Sequence, residues 1–576
     1  MIAASLLSVA YATASAQGTV GPPPVISPDA ATLAGTVSVT ELSTSQANRE
    51  ALQAQQNAQP LEMPKHLLPD GSLTSAPRTE TLEALPLTPE PNAGVESRIS
   101  LAFKTIAGFN GIFAGNNATV NNIQLEPPDQ GLAVHDNVVV EINNLLVQVF
   151  KSDGTPLTSP IAASAFFLAQ GSSLTDTQAF FDPTSKRWFL DVVISNSSFQ
   201  GFGFAVSQTS DPLGTYFIYH IRAFSSNVPG CSPVDCFPDY PKAGYDANAF
   251  FITADLFGAR GFVETAVYVL PKSTLEAGPS FTPFTYIRFD RADFVVQPSV
   301  PAPGEPFATT DGGTEYLMTA RNIFDGSQNV RVIAIFNTSQ IVPSPLSLRQ
   351  TSVDVLAETI GPTVPSTQPN VIGPFCTSRG VTSAPLLDGG YQAFQATIQK
   401  AGGNLYGVLA FGAKDGNGLN RDVLAWFILR PNLTMTAAPS LTATIVAQGY
   451  IVPPNGYSMS YPAFAVNKAG AGVIGSTITN TSQNVDGGFP SASFIQFSGF
   501  PRGNITVTGQ GATSDDGFTG CPGPGPGRVG RWGDYGAATV DAATGHYWIA
   551  NEYIPDPTLF PRTPAANWGT FITQLH

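Results

Sequence analysis

Charge is scarce in this chain. Asp, Glu, Lys and Arg make up 12% of its 576 residues, about half the share usual in soluble domains. Basic residues are the scarcer kind: 27 Lys and Arg stand against 42 Asp and Glu, a formal net charge of −15. Binding a phosphate backbone needs a basic face, so nucleic acid is excluded as a partner. Simple electrostatic docking on anionic lipid is excluded for the same reason.

Histidine is nearly as scarce. The five, His66, His135, His220, His546 and His576, include no i, i+4 pair and no H-E-x-x-H, which argues against a zinc hydrolase. A G-x-S-x-G nucleophile elbow is missing, as are a Walker loop and a dinucleotide fingerprint before a helix. No metal site and no resident cofactor are expected. The Asp-Gly stretches at Asp153, Asp311, Asp415 and Asp515-Asp516 read as hairpin turns. None matches an EF-hand loop, and a structural Ca²⁺ at one of them stays open. After the N-terminus there is no unbroken apolar run of about 18 residues, so no membrane span is expected.

Long helices are disfavoured too. Gly (55), Pro (49) and Phe (38) are plentiful, and a chain rich in these with Val and Thr builds many short strands joined by tight turns. Residues 1–16 form a short apolar stretch ending in Ala14-Ser15-Ala16, the pattern of a secretory signal peptide. A secreted, extracellular or periplasmic chain is therefore expected. Four cysteines, Cys231, Cys236, Cys376 and Cys521, read as disulfides in such a chain. Cys231 with Cys236 closes a small loop, which leaves Cys376 with Cys521 as a long-range staple; spacing alone leaves the other connectivities open.

Residues 17–100 are rich in Pro, Gln and Ala and almost lack aromatics until Phe103. Too little apolar surface is present to offset ordering entropy. The expectation is a poorly structured linker or prosegment with one short helix near 41–57. From about Asn110 the text changes, and residues 101–576 read as one body.

Within that body a module recurs: small and apolar residues, an Asp- or Asn-centred turn, then a β-branched or aromatic strand. Copies begin at Asp129, Thr177, Asp239, Tyr461 and Asp534, with turns at Asp136, Asp182, Asp246, Asn467 and Asp541. Each has the form of the first hairpin of a propeller blade, and further blades fit around Glu315–Ile335 and Gly390–Ile428. Spacings of about 50–70 residues predict an all-β fold, a single seven-bladed β-propeller. A pair of β-sandwiches is the alternative. The last strand, near 567–575, needs a partner to complete its blade, and the stretch from Phe103 to Ile123 is a candidate.

Three stretches carry a family resemblance. Phe237-Pro-Asp-Tyr-Pro-Lys-Ala-Gly-Tyr-Asp-Ala-Asn-Ala-Phe-Phe-Ile, Gly530-Arg-Trp-Gly-Asp-Tyr-Gly with Tyr547-Trp-Ile-Ala-Asn-Glu and Trp568-Gly-Thr, and Pro127-Pro-Asp-Gln-Gly-Leu-Ala-Val resemble segments of a group of secreted bacterial β-propeller proteins. The resemblance covers most of 125–576. It implies the fold and export and no particular activity. Gly536 stands where that group usually has Ser.

In a propeller, residues at the starts of the inner strands converge on the channel mouth. The predicted cluster is Asp129, Asp239, Tyr240, Lys242, Arg379, Arg531, Asp534, Tyr535 and Glu552, with Glu126 and Asp176 beside them. Two functions follow. One is an extracellular binding or interaction module, monomeric, holding a glycan or protein ligand at that mouth. The other is a carbohydrate-active hydrolase or lyase using paired carboxylates. Asp or Arg at such positions also serves turns and blade contacts, and Trp188, Trp532 and Trp548 are expected to pack blades rather than sugars.

Overall fold

The computed structural model describes residues 19–20, 25–56, 61–62, 85–86, 104–118, 125–223, 231, 236–289, 291–309, 312–321, 329–341, 348–357, 360–436 and 439–576. The expected signal peptide lies outside them.

The fold is all-β, a β-propeller. From Gly131 onward the chain forms consecutive four-stranded antiparallel groups. Their first strands are Gly131–His135, Ser173–Asp182, Phe237–Tyr245, Gln297–Pro301, Ile398–Ala401, Tyr457–Val466 and Ala537–Val540. Each of these touches the next in chain order, and the last touches the first. They are the inner strands, and they surround a common axis. The last group borrows its fourth strand from upstream: Gly569–Leu575 pairs antiparallel with Thr105–Phe113.

The recurring Asp and Asn of the sequence modules make the first hairpin of their groups. Asp182 Oδ1 accepts the Thr184 N–H at 2.8 Å, Asp246 Oδ1 that of Asn248 at 2.7 Å, and Asp541 Oδ1 that of Ala543 at 2.9 Å. These side chains mimic a backbone turn. They also reach sideways. Asp541 accepts the Asp136 and Asn137 N–H groups, Asp246 accepts from Thr338 Oγ1, and Lys272 Nζ pairs with Asp182. A local turn residue thus becomes a contact between neighbouring groups.

Two glycines show how closely the inner strands pack. A Cβ on Gly244 would sit 2.4 Å from the Ser299 carbonyl oxygen, and one on Gly536 2.8 Å from that of Tyr461. A side chain at Gly536 would force the two segments apart. Trp188 and Trp548 sit on the second strands of their groups and Trp532 just before Asp534, and all three are buried as packing residues.

The N-terminal segment corrects one expectation. Residues 25–56 are not an unstructured extension. Val25–Ser38 inserts as a strand between Thr215–Arg222 and Phe281–Arg288, pairing antiparallel with both. It welds the outer edges of two groups into one nine-stranded sheet. Ala31 and Val37 are buried in the cores of those groups. Two helices follow, Val39–Thr44 and Gln46–Gln56. The composition argument failed because a strand added to existing edges needs little apolar surface of its own; it borrows a ladder and a preformed core.

Deleting residues 1–38 leaves the Thr215–Arg222 and Phe281–Arg288 edges unpaired, and open edges template association. The shortened chain is expected to melt lower and to self-associate; light scattering after size exclusion reads this, and a monomer with unchanged melting would refute it.

Candidate functional site

Three of the inner strands share an irregularity. Pairing slips between Thr175 and Gln178, between Asp239 and Lys242, and between Ser460 and Ala463. In each gap one residue has a left-handed backbone: Asp176 (φ 57°), Tyr240 (φ 55°) and Tyr461 (φ 50°). Asp129, just before its strand, has φ 45°. Such bulges re-aim side chains, here toward the axis, and non-glycine residues hold this conformation only where neighbours enforce it.

The enforcing contacts join one group to the next. Asn144 Oδ1 accepts the Asp176 N–H at 2.7 Å, and Asp176 Oδ2 accepts the Tyr240 N–H at 3.0 Å. Asp129 Oδ1 accepts the Asp534 N–H at 2.8 Å, and its Oδ2 accepts Asn144 Nδ2 at 2.8 Å. Glu552 Oε2 accepts the Gly533 N–H at 2.6 Å. Arg531 donates to Asp534 Oδ2 at 2.6 Å and to Asp388 Oδ2 at 3.4 Å.

Asp129, Asp176 and Asp534 bring carboxylate oxygens within 4.8 Å of one another. Lys242 Nζ lies in the field of all three and of Asp191. It sits 3.1 Å from the Tyr535 ring centre and 4.7 Å from that of Tyr240, as a cation over aromatic faces. Burial pushes Asp129 and Asp534 up to about 7 and Asp176 up to about 8, neighbouring carboxylates adding to the shift. Burial pulls Lys242 down to about 7, against the pull of those carboxylates. The three acids and the lysine together can share protons near neutrality. With an ammonium already among them, the carboxylates have a resident counter-charge.

This cluster is covered. Residues 360–397 and 510–536 are long connections into the inner strands Ile398–Ala401 and Ala537–Val540. The Cys376–Cys521 disulfide joins them, as do parallel pairings of Val381 with Gly525 and Leu386 with Val529. Asp516 accepts the Phe375 and Cys376 N–H groups at 3.0 and 2.8 Å. From this cap Asp388 reaches Arg531, and the Tyr391 ring stands 5.2 Å from that of Tyr240. Every member of the Asp129–Asp176–Lys242–Asp534 set is at most 5% exposed. The second disulfide, Cys231–Cys236, closes the small loop.

Of the predicted cluster, Asp129, Tyr240, Lys242, Arg531, Asp534, Tyr535 and Glu552 gather at the axis. Asp239 is half-buried at its edge, its Oδ1 accepting the Tyr240 N–H at 3.1 Å. Arg379 does not belong there. It is exposed in the cap, at the end of the short helix Pro374–Ser378, and donates to the Pro522 carbonyl oxygen at 2.6 Å. The misplacement arose because the inner strand of that group starts only at Ile398. Glu126 lies under the cap, accepting from Thr519 N and Oγ1.

Sequence reasoning missed Asp191, Gln130 and Gln395. Asp191 had a signal: one carboxylate inside the apolar run Trp188-Phe-Leu-Asp-Val-Val, where charge is rarely placed without purpose. The glutamines had none. Both line a well of about 70 Å³ that runs along the inner strands. It extends from buried Gln130, Lys242, Gln395 and Tyr535 to a rim at half-buried Pro183 and Pro303 and exposed Ala542. The rim lies at the far ends of the inner strands, away from the cap.

No family model matches the chain, and no curated protein matches it. Solved structures with similarity include an exo-beta-1,3-galactanase from Clostridium thermocellum (11% identity, TM-score 0.26, 77% of this chain and 92% of that one). Others are the N-terminal domain of Nup159 (11%, 0.30, 82% and 95%) and a GH43_1 enzyme from Xanthomonas citri complexed with xylotriose (10%, 0.25, 69% and 86%). Similarity at this level does not bear on what the chain does.

Two outcomes test the cluster. Arg531→Met strips the buried Asp534 and Asp388 carboxylates of their shared cation, and a broken buried pair costs about 3–5 kcal/mol; a denaturant midpoint that barely moves would show that the pair does not hold the axis. The pH dependence has a definite sign. Asp129, Asp176 and Asp534 keep protons in the fold that the unfolded chain, with carboxyls near about 4, has released. Their contribution is complete below that value and is lost as pH rises through 7 to 8. Lys242, lowered to about 7, acts oppositely: above that pH the fold holds it neutral, and stability is regained toward the unfolded lysine's value. The melting temperature should therefore fall from pH 5 to 7.5; a rise over that range would contradict the assignment.

Proposed function

We propose that the chain is an extracellular binding module, a secreted seven-bladed β-propeller of the kind its motifs resemble, which holds a glycan or protein ligand. The observation that carries this reading is the closure of the carboxylate cluster. Asp129, Asp176 and Glu552 spend oxygens on backbone N–H groups, Asp534 spends one on Arg531, and the disulfide-linked cap lies over them. The blade count rests on the inner strands and their contacts in cyclic order. Export is supported by Ala14-Ser15-Ala16 in the sequence and by two disulfides. No helix among the described residues is long and apolar enough to cross a membrane.

One observation favours the hydrolase or lyase. Carboxyls pushed up to about 7 and 8 suit a general acid at neutral pH. That chemistry also needs sugar rings on both sides of the bond, between two accessible carboxylates. The cap denies access from one side. From the other side the well, with room for roughly five waters at ~10–15 Å³ each, admits less than two rings.

The deciding measurement is a screen of the full-length protein against polysaccharides and glycosides, reading thermal shift and released reducing ends together. A shift without product is expected. Product that disappears in Asp534→Asn or Asp239→Asn would replace the binding module by an enzyme.

A further inference from the structure

The floor of the axial well holds buried polar atoms whose hydrogen-bonding capacity is not met among the described residues. Among the described residues, Lys242 Nζ, the Tyr535 hydroxyl, both amide atoms of Gln395 and Gln130 Oε1 have no hydrogen-bond partner, and these residues are 1–4% exposed. Buried polar groups are normally satisfied, and leaving one unpaired costs about 1–3 kcal/mol. Five such atoms around one space mark a place where something from outside completes the bonds.

Their chemistry narrows what that is. Gln395 Nε2 and Lys242 donate, Gln395 Oε1 and Gln130 Oε1 accept, and Tyr535 does either. A ligand matching them must also both donate and accept, as hydroxyl groups do. Charge argues the same way. An anion at the floor would face Asp129, Asp176, Asp191 and Asp534, all in the field of Lys242, and a cation would face the ammonium. Phe180 and Tyr245 line the wall above, offering ring faces to C–H groups. The cap lies behind the cluster, so the approach considered is from the rim, by the end of a chain.

Resting on the binding-module reading, we propose that the axial well takes a neutral polyol end-on: the hydroxyl-bearing edge of a terminal sugar or a free small polyol, entering past Pro183, Pro303 and Ala542 and seated on Gln130, Gln395, Tyr535 and Lys242. The cluster beneath is then a support that places Lys242, and the binding face is the one opposite the predicted mouth.

The test uses the full-length protein with glycerol, the methyl glycosides of glucose, galactose and mannose, their trisaccharides, and acetate and glucuronate as anionic controls, read by saturation-transfer NMR and thermal shift. Binding of a neutral polyol or glycoside, with at least about tenfold loss in Gln395→Leu, is expected. Preference for the trisaccharide identifies a chain end, and equal binding of the monosaccharide or glycerol a free polyol. Gln395→Leu should not lower the ligand-free melting temperature, because it removes unpaired buried atoms; a purely structural glutamine would. Ala542→Trp, a change at an exposed rim position, should block binding and leave melting unchanged. Binding that survives both variants overturns the well while leaving the module reading intact. Equal binding of acetate, or no binding of any probe, overturns the neutral-polyol site, whereas turnover of a glycoside would overturn the underlying reading instead.

Discussion

The carboxylate-to-amide bonds at the axis are the constraint on which the rest depends. Only Gln297–Pro301 and Ile398–Ala401 among the neighbouring inner strands share a backbone ladder, so elsewhere among the described residues side chains must tie one inner strand to the next. Here the bulge that opens an inner strand exposes an N–H, and the preceding group supplies its acceptor: Asn144 for Asp176, Asp176 for Tyr240. The first and last groups are joined in the opposite sense, Asp129 of the first accepting the N–H of Asp534 just before the last inner strand. Remove one acceptor and a kinked, left-handed residue loses what holds it.

That arrangement has an electrostatic cost. Acids placed to accept backbone bonds end up buried within 4.8 Å of one another. Lys242 and Arg531 offset the repulsion, and raised carboxyl pKa values relieve the remainder. The resulting centre resembles an acid–base site in its titration and differs from one in access, because the oxygens are used and the cap is stapled shut. Perturbed titration marks function only where a substrate can arrive.

Much of the fold was legible because its signals are local. Asp182, Asp246 and Asp541 each build a turn within three residues of themselves, so their recurrence in the sequence reported the hairpins directly. Gathering at the axis followed for Asp129, Lys242 and Asp534 because each stands at an inner strand's start. Arg379 broke that inference, since a long connection separates it from its strand. The N-terminal strand was illegible for a different reason: its stability belongs to the two edges it joins, and nothing in residues 25–38 names those partners. Gln130 and Gln395 were equally silent, because what singles them out is a buried amide atom without a hydrogen-bond partner among the described residues, which only packing reveals.

Composition and local pattern determined that this chain is all-β, built on repeated Asp-turned hairpins and poor in charge. Short-range hydrogen bonds and side-chain alternation carry that information within a few residues. Tertiary structure decided which end of the axis is open. The cap arises from two connections whose cysteines are separated by 145 positions, and the well arises from side chains of several groups that share no sequence neighbourhood. Access is a property of the closed ring, and closure is a long-range event that no single strand encodes.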